Sequence, residues 1–320
     1  MKFKPLGTSE IDISTIIMGT WQAGKTMWTG IDDKEIRKAL RAAYDSGITT
    51  FDTATVYGDG HSERMVGSAL RNIRDDVVIA TKVFPNRLDH RGVITSCEQS
   101  LRDLGTDMID LYQIHWPAGS FGTKVVPIEE TMTALNTLKD QGKIRSIGVS
   151  NFSRAQLEEA SRHGRIDSLQ PPYSLFWRHF EKDILPYCTE NSIAVLAYSP
   201  MAQGFLTGKF GPDHQFEKGD HRSKNRLFKP DHYRRVQEAL AHLKPIAERN
   251  GLSLAQLALA WVTSHEAACA IAGARYASQA RDNAAAGETL LPETDLEEMD
   301  RIGRRVTDHM NVENAVMWEF

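Results

Sequence analysis

The sequence predicts an α/β fold, a (β/α)8 TIM barrel with an N-terminal β-hairpin and two extra helices, and three observations predict it. Short apolar runs alternate with longer helical patterns eight times along the chain. The runs are apolar nearly throughout, as strands buried on both faces of a parallel sheet must be. At 320 residues the length alone fits one barrel or two ordinary domains. The eightfold alternation decides for a single domain over 1–320.

Residues 3–6 and 11–14, separated by Gly7-Thr8-Ser9, read as a short hairpin able to close one end of the barrel. Strand and helix then alternate as 16–19 and 33–46, 48–52 and 63–72, 77–82 and 93–104, 108–115 and 128–141, 144–150 and 154–163, 167–170 and 181–191. The seventh strand is 194–199, followed by a long polar stretch and helices near 233–250 and 254–264, and the eighth strand is 269–272. Asp32 with Glu35 has the spacing of a capping box, and Ser62 reads as the cap of the second helix. Pro127, Gly142 and Ser153 punctuate the central helices. The helix within 233–250 and another near 296–306 are the two extra elements.

Hydrophobic residues make up 41% of the chain and charged residues 25%, the balance of a globular protein with an ample core. A net charge of −4 excludes general affinity for nucleic acid, while leaving room for local phosphate-binding patches. No run of eighteen apolar residues and no leader-like start is present, so no membrane span and a cytoplasmic location are expected. Cys97, Cys188 and Cys269 are far apart and odd in number, as packed, reduced thiols would be. None of the eleven histidines forms a close ligand pair, so no metal is expected.

Three strands end in titratable residues: Asp52, Lys82 and His115. In a barrel they share the carboxyl-terminal face, and Tyr57 follows Asp52 in the next loop. A carboxylate, an ammonium and an imidazole around a phenol make a proton-donating site, because the cation favours phenolate and lowers the tyrosine pKa from about 10. Taken singly, Asp52 reads better as a helix cap and Tyr57 as a packed ring; their joint placement with the other strand ends reverses that balance. The set Phe51-Asp52-Thr53-Ala54, Tyr57-Gly58, Ser62-Glu63, Thr81-Lys82 and Ile114-His115 resembles the aldo-keto reductase family, in its microbial branch, and is similar also to potassium-channel β subunits.

That resemblance implies reversible carbonyl reduction, with hydride passing from NADP(H) and the Tyr57 hydroxyl giving the proton. Asp52, Tyr57, Lys82 and His115 are then the catalytic residues. It further implies that Gly19, Thr20, Trp21 and Asp52 meet the cofactor, that Ser150, Asn151 and Gln170 bind its carboxamide, and that Tyr198 stacks on the nicotinamide. The stretch Ser199, Pro200, Met201, Gln203, Gly204, Leu206 and Lys209 would follow the pyrophosphate. Arg226 belongs to a polar stretch, 220–230, that reads as a strap or as solvated loop. Gly273, Arg275, Gln279 and Asn283 would meet the adenosine. Other branches of the family carry Lys-Ser where Gly273-Ala274 stand, so Arg275 is the expected reader of a 2′-phosphate. Trp21, Trp28, Phe84, Trp116 and Trp177 are expected to line the pocket for a small-molecule carbonyl or alcohol, and self-association stays open.

Three rival readings are carried. Gly19 to Thr26 fits G-x-x-x-x-G-K-T letter for letter, the pattern of a phosphate-binding NTPase, but Gly30 and Asp32 place the helix start too late for its amino end to meet phosphate. Lys82 on a barrel strand also suits a Schiff-base aldolase. The likeness to channel subunits admits a cofactor-binding regulatory protein with little turnover.

Overall fold

The computed structural model describes residues 1–26, 28–217 and 220–310, the His221 side chain apart. Strands β1 (Phe3–Pro5) and β2 (Asp12–Ser14) pair antiparallel as the expected hairpin. Eight strands follow: β3 (Ile16–Gly19), β4 (Thr50–Asp52), β5 (Val78–Val83), β6 (Ile109–Ile114), β7 (Ile144–Ser150), β8 (Ser168–Gln170), β9 (Ala194–Tyr198) and β10 (Ala268–Gly273). All are parallel to their neighbours, and β10 pairs with β3 to close the barrel.

Helices α1 (Asp33–Asp45), α2 (His61–Leu70), α3 (His90–Leu104), α4 (Ile128–Asp140), α5 (Arg154–Arg162) and α6 (Ile184–Glu190) surround the sheet. After α7 (Pro230–Arg249) come α8 (Leu254–Ser264), α9 (Ala277–Ala285) and α10 (Glu293–Thr307). The extra helices α7 and α10 pack on each other, tied by Arg249 to Asp295. Alternation along each strand divides the core. Met18, Phe51, Ile79, Tyr112 and Ile147 face the helices, whereas Ile17, Ala80, Leu111, Leu196, Cys269 and Ile271 fill the barrel. Leu6, Ile11 and Ile13 of the hairpin complete the inner cluster at its amino end. Lys4 fixes that plug by donating to the carbonyls of Thr263, His265 and Ala268 at 2.7–2.8 Å. The three cysteines are buried, as expected.

Local chemistry moves several boundaries. Gly60, with φ 77°, is the residue before α2, and Ser62 lies inside that helix rather than capping it. The reason is that the Ser62 hydroxyl is engaged elsewhere, with Thr20 and Thr53. Asp32 does cap α1 by accepting from the Lys34 amide, but Glu35 turns outward to Lys38, so the reciprocal bond of a capping box is not made. The helix expected over 181–191 is broken at Asp183 into a short turn, His179–Lys182, and α6. β5 runs one residue past Lys82.

Candidate active site

Charged inward-facing side chains of the barrel strands gather at its carboxyl end. Asp52 closes β4, and Lys82 stands on β5 two residues beyond the level of Asp52, whose register partner is Ala80. The Lys82 ammonium donates to Asp52 Oδ1 at 2.7 Å and to the Thr53 carbonyl at 2.7 Å; Lys82 is 0% exposed and Asp52 3%. The other oxygen, Asp52 Oδ2, accepts from Gln170 Nε2 at 2.9 Å and from Gln113 Nε2 at 3.4 Å. Such a pair is stable because each charge has its partner and the remaining lone pairs are satisfied. Gln113 was not singled out in the sequence. Its signal was there, since 111, 113 and 115 share one strand face and Gln is the polar member between Leu111 and His115. Gly148 makes room for it, as a Cβ there would lie 2.9 Å from Gln113 Cγ.

Tyr57 stands over this layer. Its ring centroid is 5.4 Å from Lys82 Nζ and 5.8 Å from the His115 ring. The loop that carries it is braced backbone to backbone by the turn after β3: a Cβ on Gly24 would come within 2.5 Å of the Tyr57 carbonyl carbon, and one on Gly58 within 2.3 Å of Gly24 O. This close approach accounts for a glycine of the phosphate-loop pattern. Lys25 of the same pattern has φ 64° and pairs with Asp33, the 3-10 turn Trp21–Gly24 ends before it, and α1 starts only at Asp33, so the NTPase geometry is absent among the described residues.

Electrostatics corrects one expectation. Burial, followed by the negative charge of Asp52 and by Tyr198, pushes the Tyr57 phenol well above its ordinary pKa. The Lys82 charge is directed at Asp52 and does not bring Tyr57 down. Burial pulls the Lys82 ammonium down, and Asp52 opposes that pull. Burial, then Lys82, holds His115 well below its ordinary range, so the imidazole is neutral at neutral pH. Its Nδ1 is enclosed without a hydrogen-bond partner.

Around this centre lies an aromatic rim. Phe84 meets His115 edge-on at 5.8 Å and stacks on Phe121 at 5.8 Å, and Trp116 meets Phe121 at 5.1 Å. Phe121 escaped the sequence reading; its signal was the flanking pair Gly119 and Gly122, which permits a turn with φ 58° at Phe121. Trp177, expected here, is 1% exposed, held in a tight turn with Ser174 and packed beside His179, so in this structure it is a core residue. Trp21 and Trp28 meet edge to face at 5.3 Å.

The cofactor residues expected at the strand ends do gather on this face. Ser150 Oγ donates to the Gln170 carbonyl at 2.7 Å, Asn151 Nδ2 to the His115 carbonyl at 3.1 Å, and the Tyr198 hydroxyl to Asn151 Oδ1 at 2.9 Å. Thr20 bonds the Asp52 carbonyl, Gly19 is paired with Asp52 in register, and Gln279 accepts from the Arg275 amide. Asn283 Nδ2 donates to the Gly273 carbonyl at 3.3 Å. The Leu206 side chain lies in the outer core, which leaves its backbone for a ligand along with that of Ser199, Met201 and Gly204.

The left-handed φ values of Asn151, Ser199, Ala202 and Gln203 concentrate backbone strain on the same face. Gln203 accepts from Asn225 of the 220–230 stretch at 3.0 Å. That stretch is two short turns that bury Asn225 and Leu227 and leave Ser223, Lys224 and Lys229 exposed. Arg222, bonded to Asp220, lies over the rings of Trp28, Phe210 and Phe216, and Arg275 lies over Trp28 at 5.1 Å. Trp28 thus joins this cationic stack to Trp21. Burial and the charges of Arg222 and Arg275 lower the pKa of Lys209, so three cations share one region with Asp220. Arg226 Nε and Gln203 Nε2 are buried without partners.

Residues 15–304 match the model of the aldo/keto reductase family. The chain is 39% identical over 87% of its length to an aldo-keto reductase, YhdN, of Bacillus subtilis, covering 86% of that protein. It is 34% identical over 92% to an NADH-specific methylglyoxal reductase of Escherichia coli, covering 96% of it. It is also 35% identical over 88% to a probable voltage-gated potassium channel subunit beta of Arabidopsis thaliana, covering 90%. Among solved structures, the glycerol dehydrogenase of Gluconobacter oxydans superposes with a TM-score of 0.87 at 33% identity over 98% of each chain. An aldo-keto reductase from Klebsiella pneumoniae in complex with NADPH gives 0.76 at 30% identity over the whole of both chains. The chain belongs to the aldo/keto reductase family of oxidoreductases.

Proposed function

We propose that this protein, working as one domain over 1–320, reduces aldehydes or ketones to alcohols with NADP(H), and that Tyr57 is the proton donor. The observation that carries the reading is the buried Lys82–Asp52 pair beneath a protonated Tyr57 and a neutral His115. A phenol held protonated across the neutral range is in the state a general acid needs. Lys82 stabilises the negative charge that Tyr57 acquires when its proton leaves, and Asp52 fixes the ammonium for that task. The neutral imidazole of His115 orients a carbonyl oxygen toward the phenol by hydrogen bonding, without competing as an acid.

The residues present fit an anionic dinucleotide. Lys209, Arg222 and Arg275 repel one another, so phosphate oxygens among them lower the energy of all three. Asn151 and Gln170 supply amide groups, and Tyr198 an aromatic face, beside the buried pair. When bound, reduced nicotinamide supplies the hydride. Arg275 has a planar fork for a 2′-phosphate, and 273–279 contains no carboxylate to pair with a free ribose hydroxyl. A small carbonyl compound is the partner this site serves, and a cytoplasmic location suits such a reaction.

Lys82 is a poor Schiff-base nucleophile here, being enclosed and held as an ammonium by Asp52 and Thr53. A regulatory subunit would share every residue above, and turnover separates the two readings. Tyr57→Phe keeps the ring and removes the acid; reduction of a panel of aldehydes should fall by about 10²–10⁴-fold, with NADPH affinity by fluorescence quenching nearly unchanged. Reduction at the wild-type rate would remove Tyr57 from the role. Arg275→Ala should weaken NADPH binding by about 1.5–3 kcal/mol, the worth of a charged hydrogen bond, and leave NADH binding nearly unchanged. Equal losses for the two cofactors would show that Arg275 does not read the phosphate.

A further inference from the structure

The reductase reading leaves a fully buried carboxyl unused. Ser62 and Glu63 are consecutive on the first turn of α2, both 0% exposed, and they point at different strands. Ser62 Oγ donates to the Thr20 carbonyl at 3.0 Å and accepts from Thr53 Oγ1 at 2.9 Å. Thr53 is the residue whose carbonyl holds the Lys82 ammonium. Glu63 Oε1 accepts from Thr81 Oγ1 at 2.7 Å, and Thr81 is the residue before Lys82. One helical turn therefore grips both strands that build the ion pair, from outside the barrel wall. Three elements meet behind it, where Glu63 Oε2, the Ser100 hydroxyl of α3 and the Tyr112 hydroxyl of β6 are all buried, Ser100 facing both of the others.

We propose that Ser62 and Glu63 are positioning residues for the Asp52–Lys82 pair, Ser62 by fixing Thr53 and Glu63 by fixing Thr81. The proposal rests on the reading of that pair as part of the reductase site. Glu63 is also the point at which pH reaches the pair. Burial pushes its carboxyl up to about 7, with Asp103 adding to the rise and Thr81, Ser100 and Lys82 opposing it. Cys97 of α3 and the Tyr112 phenol also face it. Below that pH Glu63 is neutral and acts only as a hydrogen-bond acceptor. Above it, a second negative charge behind β5 draws on the ammonium that Asp52 otherwise holds, and turnover falls. The folded state binds more protons at Glu63 than the unfolded chain, whose carboxyl has the ordinary pKa of 4.5. The stability Glu63 contributes is thus present in acid and is lost as the pH rises through about 7.

Glu63→Leu removes the acceptor and should lower kcat by about 10²-fold, as a small misplacement of a reacting group does, while cofactor affinity by fluorescence quenching stays unchanged. Ser62→Ala should lower the same parameter by less. Glu63→Gln keeps an acceptor for Thr81 and cannot ionise. It should restore kcat near wild type at about pH 6 and abolish the fall in kcat toward about pH 8. Its Tm should also lack the decline that the wild type shows over that range, a readout that stands even where the Leu variant does not fold. A wild-type kcat in Glu63→Leu, or pH curves of Glu63→Gln that parallel the wild type, would overturn the brace. Tyr57→Phe measured alongside separates the two readings: full activity there sinks the reductase assignment, whereas an inactive Tyr57→Phe beside an unaltered Glu63→Leu sinks the brace alone.

Discussion

Two lysines point into opposite ends of this barrel, and they are held in different ways. Lys4 enters at the amino end and gives all three of its protons to main-chain carbonyls, those of Thr263, His265 and Ala268. Lys82, at the carboxyl end, gives one proton to a carboxylate and one to a carbonyl. Burial lowers the pKa of both, but only Lys82 has an anion in direct contact to set against it. Three neutral acceptors make a latch that closes the hairpin over the apolar interior. A single carboxylate makes a charge that is balanced but can respond to a new charge beside it. The same side chain serves as a latch where its partners are dipoles, and the proposed reaction uses it where its partner is an ion.

The sharpest way to break this comparison is to neutralise each lysine with a side chain of similar length. Lys82→Met should lower kcat for carbonyl reduction by about 10²–10⁴-fold. It should also destabilise the fold by about 3–5 kcal/mol, because Asp52 is left charged and buried without its partner. A variant with normal kcat would place Lys82 with Lys4 as a purely structural residue. Lys4→Met leaves three carbonyls short of a donor and should cost about 1–3 kcal/mol in thermal or denaturant unfolding. Its kcat and pH profile should match the wild type. A change in the pH profile of Lys4→Met would show that the two ends are coupled and that the division drawn here is false.

The fold was legible because its signals are periodic. Eight apolar runs and their helices need only hydrophobic spacing, and every strand predicted in the sequence is present within one or two residues. The ends of the pieces were harder to read. Ser62 has the composition of a cap, but a hydroxyl that can reach two threonines on neighbouring strands is worth more there than at a helix end already turned by Gly60. Asp52, Lys82, His115 and Tyr57 were legible as a group because a parallel barrel puts all strand ends on one face. What hydrogen-bonds them was not, since Gln113 and Gln170 reach Asp52 across the barrel from residues 61 and 118 positions away. Trp177 was misplaced for the opposite reason: aromatic side chains suit a core and a pocket equally, and only the turn at Ser174 decides which.

The two rims offer a finer test of the same contrast. Phe3 at the amino end and Phe121 at the carboxyl end are each 51% exposed, so loss of either removes a similar apolar surface. Phe3 lines a groove of about 670 Å³ shared with Thr189, Glu266 and Leu290, remote from Tyr57 and Lys82. Phe121 lies on Phe84 and against Trp116, and Phe84 touches His115, so under the proposed function it extends the wall that a carbonyl substrate would pass on its way to Tyr57. Aromatic pairs of this kind contribute about 0.5–1.5 kcal/mol beyond their buried area. Phe121→Ala should therefore raise KM for an aromatic aldehyde by roughly two- to tenfold, with less effect on a three-carbon aldehyde and little change in kcat, because the Lys82–Asp52 pair is untouched. Phe3→Ala should leave both constants as they are for both substrates. Equal KM shifts for the two aldehydes would mean that Phe121 does not sort substrates by their apolar surface, and an equal shift from Phe3→Ala would move the substrate's path off the carboxyl rim altogether.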